Sequence, residues 1–120
     1  MDDVQADFAD LVHRFAELNL AVNIGMHQIH LGIMRGQIAH RLELFFPSPP
    51  PSSAHAFKRY FTYLCILRRD FPAACNNLGL TFQLLFREYR EQYDHMARLS
   101  SGPSSTRGVA GSGLRNRRRR

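Results

Sequence analysis

Apolar residues near the start of the chain fall at Val4, Phe8, Leu11, Phe15, Leu18 and Val22, in steps of 4, 3, 4, 3 and 4. A strand would alternate at every second residue. This spacing therefore predicts a helix with a heptad seam of nearly three repeats. Asp2 or Asp3 can cap its start, where acids also suit the helix dipole. Past Val22 the pattern shifts into two stripes. Met26, Ile29 and Ile33 form one; Leu31, Met34, Ile38, Leu42 and Phe45 form the other. Gly25, Gly32 and Gly36 lie in this region, and each interior glycine costs a helix up to about 1 kcal/mol relative to alanine. A first helix over residues 3–45 is thus expected either to break near Gly25 or Gly36 or to cross another helix closely. The four-residue spacing of Gly32 and Gly36 would allow two backbones to approach.

The segment FPSPPPSS, residues 46–53, stops the helix, because three consecutive prolines favour an extended connector. Pro47 and Pro50 satisfy a PxxP spacing, although a stiff linker is the simpler reading. Ser52 or Ser53 can cap a second helix over 54–69. Phe57, Phe61, Leu64 and Leu67 share one side of it, while Tyr60, Tyr63, Cys65 and Ile66 leave little polar face. Such a helix is usually central in a bundle or covered by a partner. Pro72 suits a first helical turn. From there Cys75, Leu78, Phe82, Leu85, Tyr89, Tyr93, Met96 and Leu99 keep helical spacing, which predicts a third helix over 72–99. Glycine and proline at 102 and 103 end it. The expected fold is all-α: a three-helix bundle-like domain over 1–100, followed by a disordered Ser/Gly/Arg tail over 101–120.

Charge changes this picture. Through Ser100 there are ten basic and ten acidic residues. The tail adds Arg107, Arg115, Arg117, Arg118, Arg119 and Arg120 and no acid, so the formal net charge of +6 resides in the last twenty residues. A neutral body with a basic arm concentrates positive field at one end. Only Lys58 among the sixteen basic residues is a lysine. Arginine forks suit phosphate and guanine edges, although GC-rich coding would give the same bias.

The chemical inventory is otherwise sparse. Cys65 and Cys75 are too few for a disulfide framework, and both are expected as buried free thiols in a reducing compartment. His27 and His30 are spaced to touch one cation. The other candidates, His13, His40, His55 and His95, are scattered, so no metal site is expected. No nucleophile, phosphate-loop or hydrolase motif is present, and the expectation is a non-enzyme without cofactors. The N-terminus lacks a signal-peptide core, and polar residues interrupt the most apolar stretch, 18–34, so no membrane span is expected.

The tail can neutralise about six phosphates, enough for salt-sensitive binding without base preference. Short arginine runs also serve as nuclear or nucleolar addresses read by an import receptor. A second basic patch is expected from Arg35, Arg41, Lys58, Arg59, Arg68 and Arg69. It would either face solvent along duplex phosphates, or pair with the acidic start of the first helix, or form a solvated rim. The seam from Val4 to Val22 exceeds what three short helices need, so a homodimer through it is expected. The leading functional expectation is a small helical accessory protein that binds nucleic acid, RNA more than DNA, in the nucleus or cytoplasm. Its style is that of a viral suppressor of host defence. The alternative is a protein-interaction module that modulates a host signalling or death pathway through an apolar face near Phe57–Leu67, its tail serving for targeting only.

Overall fold

The computed structural model describes residues 3–101, and every described element is helical. The helices are α1 (Asp3–Asn23), α2 (Gln28–Phe45), α3 (Ala54–Asp70), α4 (Pro72–Leu78) and α5 (Leu80–Ser101). The all-α expectation is met, with five helices in place of three. The tail over 102–120 lies outside the described residues.

Both additional breaks occur at glycines with positive φ. Gly25, at φ +74°, ends the first helix. Its N–H bonds to Val22 O at 3.1 Å and the Met26 N–H bonds to Ala21 O at 3.0 Å, the paired closure of a left-handed helix end. The expected helix over 3–45 is thus two helices, with Gly32 and Gly36 continuing inside the second. Gly79, at φ +61° and ψ −131°, divides the expected helix over 72–99 into α4 and α5. The apolar spacing runs through Gly79 without a gap, which is why periodicity alone missed the break.

Local chemistry explains the helix starts. His27 precedes α2, and its Nδ1 accepts the Ile29 N–H at 3.1 Å. Ser53 caps α3 through Oγ, which accepts the Ala56 N–H at 3.4 Å. Phe71 precedes α4 and has no side-chain acceptor. Asn19 on α1 supplies one instead, its Oδ1 accepting the Ala74 N–H at 3.0 Å. An orphan donor of one helix is therefore satisfied by another helix.

The chain divides into two units, Met1–Tyr89 and Arg90–Arg120. The core belongs to the first. Leu11, Phe15, Leu18, Leu31, Ile38, Leu42, Leu64, Leu67, Leu78 and Phe82 are buried there, each contributing about 1.5–3 kcal/mol relative to exposure. Helix α1 packs chiefly on α4 and α2. Phe8 near Phe45 and Asp10 bonded to Arg41 show that α1 and α2 run antiparallel. Phe8 stacked on Tyr63, Phe15 near Phe71 and Asn19 at Ala74 show that α1 runs parallel to α3 and α4.

All nine phenylalanines join one chain of ring contacts, with Tyr60, Tyr63 and Tyr89. The contacts link α1, α2, α3 and α5 through stacked and edge-on pairs, favoured arrangements worth about 0.5–1.5 kcal/mol each beyond area burial. The proline-rich connector joins this cluster. Phe46 is buried, the Tyr89 hydroxyl donates to Pro47 O at 2.6 Å, and Ser48 Oγ donates to the Glu88 carboxylate at 3.0 Å.

The two cysteines differ. Cys75 is buried, and its thiol donates to Leu67 O at 3.5 Å. Cys65 is exposed rather than buried, because one position past Leu64 it turns out of the face that Phe57, Leu64 and Leu67 bury. Burial pushes the Cys75 thiol up to about 12. At pH 8 a thiol reagent is expected to label Cys65 at once and Cys75 only on unfolding; two fast thiols in native protein would contradict this. Above pH 9 the unfolded Cys75 thiol ionises while the folded one keeps its proton. The unfolded state then binds fewer protons, so stability falls as pH rises.

Candidate functional site

The six tail arginines, Arg107, Arg115, Arg117, Arg118, Arg119 and Arg120, lie outside the described residues. The basic positions of the body can be placed, and Arg14, Arg35, Arg41, Arg68 and Arg69 meet groups of the same chain. Arg41 Nη1 donates to Asp10 Oδ2 at 3.0 Å, and Arg14 Nε donates to the same oxygen at 3.3 Å. Arg41 thus pairs with the acidic start of the first helix, the internal arrangement among the three expected. Half-buried Arg35 donates to Asn77 Oδ1 on α4 at 2.9 Å. Arg69 pairs with its neighbour Asp70 at 2.8 Å, and the hydrogen bond holds the Asp70 carboxyl below its ordinary range. Arg68 lies over the Phe86 ring, 4.6 Å from its centroid, a cation–π contact. Lys58 is exposed and Arg59 half-buried on α3. Arg68 and Arg69 also occupy the last turn of α3, where cations complement the helix dipole.

A groove of about 190 Å³ opens between α1 and α2, lined by Asp7, Asp10, Leu11, Arg41, Leu44 and Phe45. Its polar rim is the Asp10–Arg41 pair. Among the described residues no group of three or more His, Cys, Asp or Glu side chains is placed to hold a metal ion. His27, one of the spaced pair, directs Nδ1 at the backbone N–H of Ile29. Apart from the Tyr89 hydroxyl and the Cys75 thiol, no charged or polar side chain is buried among the described residues, and no described helix is long and apolar enough to cross a membrane.

The heptad seam serves the chain's own core. Leu11, Phe15 and Leu18 are buried, and Val4, Phe8 and Val22 are half-buried. The ring of Phe8 lies 3.9 Å from that of Tyr63, stacked at 8°. On α3, Phe57, Leu64 and Leu67 are likewise buried within the chain, so this face is already covered. Open aliphatic residues lie elsewhere: Leu20 and Ile24 on and just beyond α1, Ile29, Ile33 and Leu44 on α2, and Leu80, Leu84 and Leu99 on α5.

The chain matches no protein-family model, no curated protein and no solved structure. The reading of function rests on its own residues.

The outward stripe of α2 is the feature that sequence reasoning did not pick out as a site. Its signal was present as two apolar stripes on one segment. A helix of 3.6 residues per turn sets Ile29 and Ile33 opposite Leu31, Ile38 and Leu42. Only one stripe can face a single core.

Proposed function

We propose that the protein is a non-enzymatic accessory protein that binds nucleic acid, RNA in preference to DNA, through its arginine-rich C-terminal segment. The helical body carries that segment and adds little of its own to phosphate binding. The observation that carries this reading is the partition of charge. In the body, Arg14, Arg41 and Arg69 are matched to carboxylates, and Arg35 and Arg68 to an amide and a ring. After residue 101 six arginines occur with no acid. Such a segment binds by releasing counterions and discriminates little between sequences. Suppression of a host RNA-based defence is the biological setting this proposal fits. Import-receptor recognition of the same arginines, for nuclear delivery, is the competing use.

The test is a salt series with a labelled RNA duplex, comparing the parent with a full-length variant in which all six tail arginines are glutamine. Parent affinity is expected to fall about a thousandfold between 50 and 200 mM salt, as for about six phosphate contacts. The variant is expected to lose most binding at 50 mM. Equal binding by the two proteins would remove the arginines from the interface. No binding by the parent at 50 mM would leave the targeting reading.

A further inference from the structure

We infer that Ser48 is a phosphorylation site for a proline-directed serine/threonine kinase, and that the phosphate releases the proline-rich connector from α5. This goes beyond the nucleic-acid proposal and does not depend on it.

Among all serines and threonines of the chain, only Ser48 is followed by a proline, Pro49. Proline has no N–H. A kinase pocket that offers no acceptor just after the reacting serine therefore selects proline there, since any other residue would bury an unpaired donor. Ser48 is exposed and lies outside any helix, in the connector between α2 and α3. A non-helical segment can enter a kinase cleft as extended chain. Ser52 and Ser53 share the connector, but neither precedes a proline, and the Ser53 hydroxyl is taken up in capping α3.

The structure also shows what the modification changes. Ser48 Oγ lies 3.0 Å from one oxygen of the Glu88 carboxylate and 3.1 Å from the other. The hydroxyl proton makes this contact attractive, because an ionised carboxylate can only accept. Next to it the Tyr89 hydroxyl donates to Pro47 O at 2.6 Å. Two consecutive connector residues are thus held by two consecutive residues of α5. In the transfer, Ser48 Oγ bonds to the γ-phosphorus of ATP, the bond from that phosphorus to the β,γ-bridging oxygen breaks, and ADP leaves with its electron pair. The hydroxyl proton passes to the kinase's catalytic carboxylate. Ser48 then has no proton to donate and carries a charge of about −1.5 to −2 at pH 7. Attraction to Glu88 becomes like-charge repulsion at the same place. The hydroxyl must leave Glu88 to react, so the kinase acts on the connector when it opens locally, and the phosphate keeps it from closing. Phe46 and the Tyr89 ring are buried and hold the core together while the connector is released.

The test is treatment of the full-length protein with a purified proline-directed kinase and ATP, followed by intact-mass and peptide mass spectrometry. The product is expected to carry one phosphate, on Ser48. Ser48→Ala, with unchanged helical circular dichroism, is expected to take up none. The phosphorylated parent is expected to melt about 4–8 °C below the unmodified protein, as for the loss of one contact in a domain of this size. In Glu88→Gln the repulsion is gone, and the gap between the two forms is expected to shrink by more than half. No phosphate on the parent, or equal incorporation into Ser48→Ala, overturns the site. A phosphorylated parent that melts no lower than the unmodified protein overturns the release, and so does an undiminished gap in Glu88→Gln. No nucleic acid enters these measurements, so their outcome is independent of the salt series.

Discussion

Replacing Phe15 by aspartate is expected to leave the chain unfolded at room temperature. Phe15 is fully buried, with the Phe71 ring 6.3 Å away and Phe82 at 6.2 Å. Removing the ring alone costs about 3–5 kcal/mol, through lost transfer energy and the cavity left behind. A carboxylate in that apolar cavity adds several more, whether it stays charged or takes up a proton. Domains of this size hold only about 5–15 kcal/mol in total. Loss of the helical circular dichroism signal checks the expectation, with Leu20→Asp as the control. Leu20 is exposed on the same helix, and the same charge there should change stability by no more than about 0.5 kcal/mol. If Phe15→Asp folds as well as Leu20→Asp, the packing of α1 described above is wrong. The comparison also bears on any test of self-association at the heptad seam: lost assembly in a Phe15 variant would report unfolding.

Tyr89→Ala is expected to cost about 3–5 kcal/mol, and Tyr89→Phe about 1–2 kcal/mol. The Tyr89 ring stacks on Phe57 at 5.7 Å and 9°, and meets Phe46 edge-on at 6.1 Å. Its hydroxyl donates to Pro47 O in the connector. Alanine removes both functions and leaves the Ser48–Glu88 hydrogen bond between the connector and α5; phenylalanine removes only the Tyr89 hydrogen bond and leaves the Pro47 carbonyl without that donor. Burial raises the phenol above its ordinary range, so the hydroxyl remains a neutral donor throughout physiological pH. Urea unfolding of the two variants measures the split. Equal losses would mean that the hydroxyl, and not the ring cluster, holds the connector in place.

Much of the local structure was legible. The steps of 3 and 4 gave helices at every expected place, the prolines at 47, 49, 50 and 51 gave the stop, and Ser53 and Pro72 gave two of the starts. These signals act over one turn of chain, so neighbouring residues carry them whole. The breaks were harder to read. Gly25 stood among three candidate glycines, and only its position two residues past Asn23, the last of α1, with two closing hydrogen bonds, distinguishes it from Gly32 and Gly36. Gly79 lies within an apolar spacing that continues in phase on both sides. Six of the ten basic body residues, Arg35, Arg41, Lys58, Arg59, Arg68 and Arg69, read as one patch by their number alone. The partners of Arg41, Arg35, Arg69 and Arg68, namely Asp10, Asn77, Asp70 and Phe86, are chosen by how the helices and side chains meet.

The amino-acid order by itself settled that the described chain is helical, where the connector lies, and that net positive charge resides at the C-terminal end. Periodicity, proline chemistry and a count of charges are enough for each. Only the tertiary structure decided which of two apolar stripes on α2 enters the core, that the α1 seam is consumed within the chain, and that Asn19 completes the start of α4. Each of these depends on groups far apart in sequence competing for the same buried space. A helix with two apolar sides states that competition without resolving it, because burial is decided by what the rest of the chain places against it.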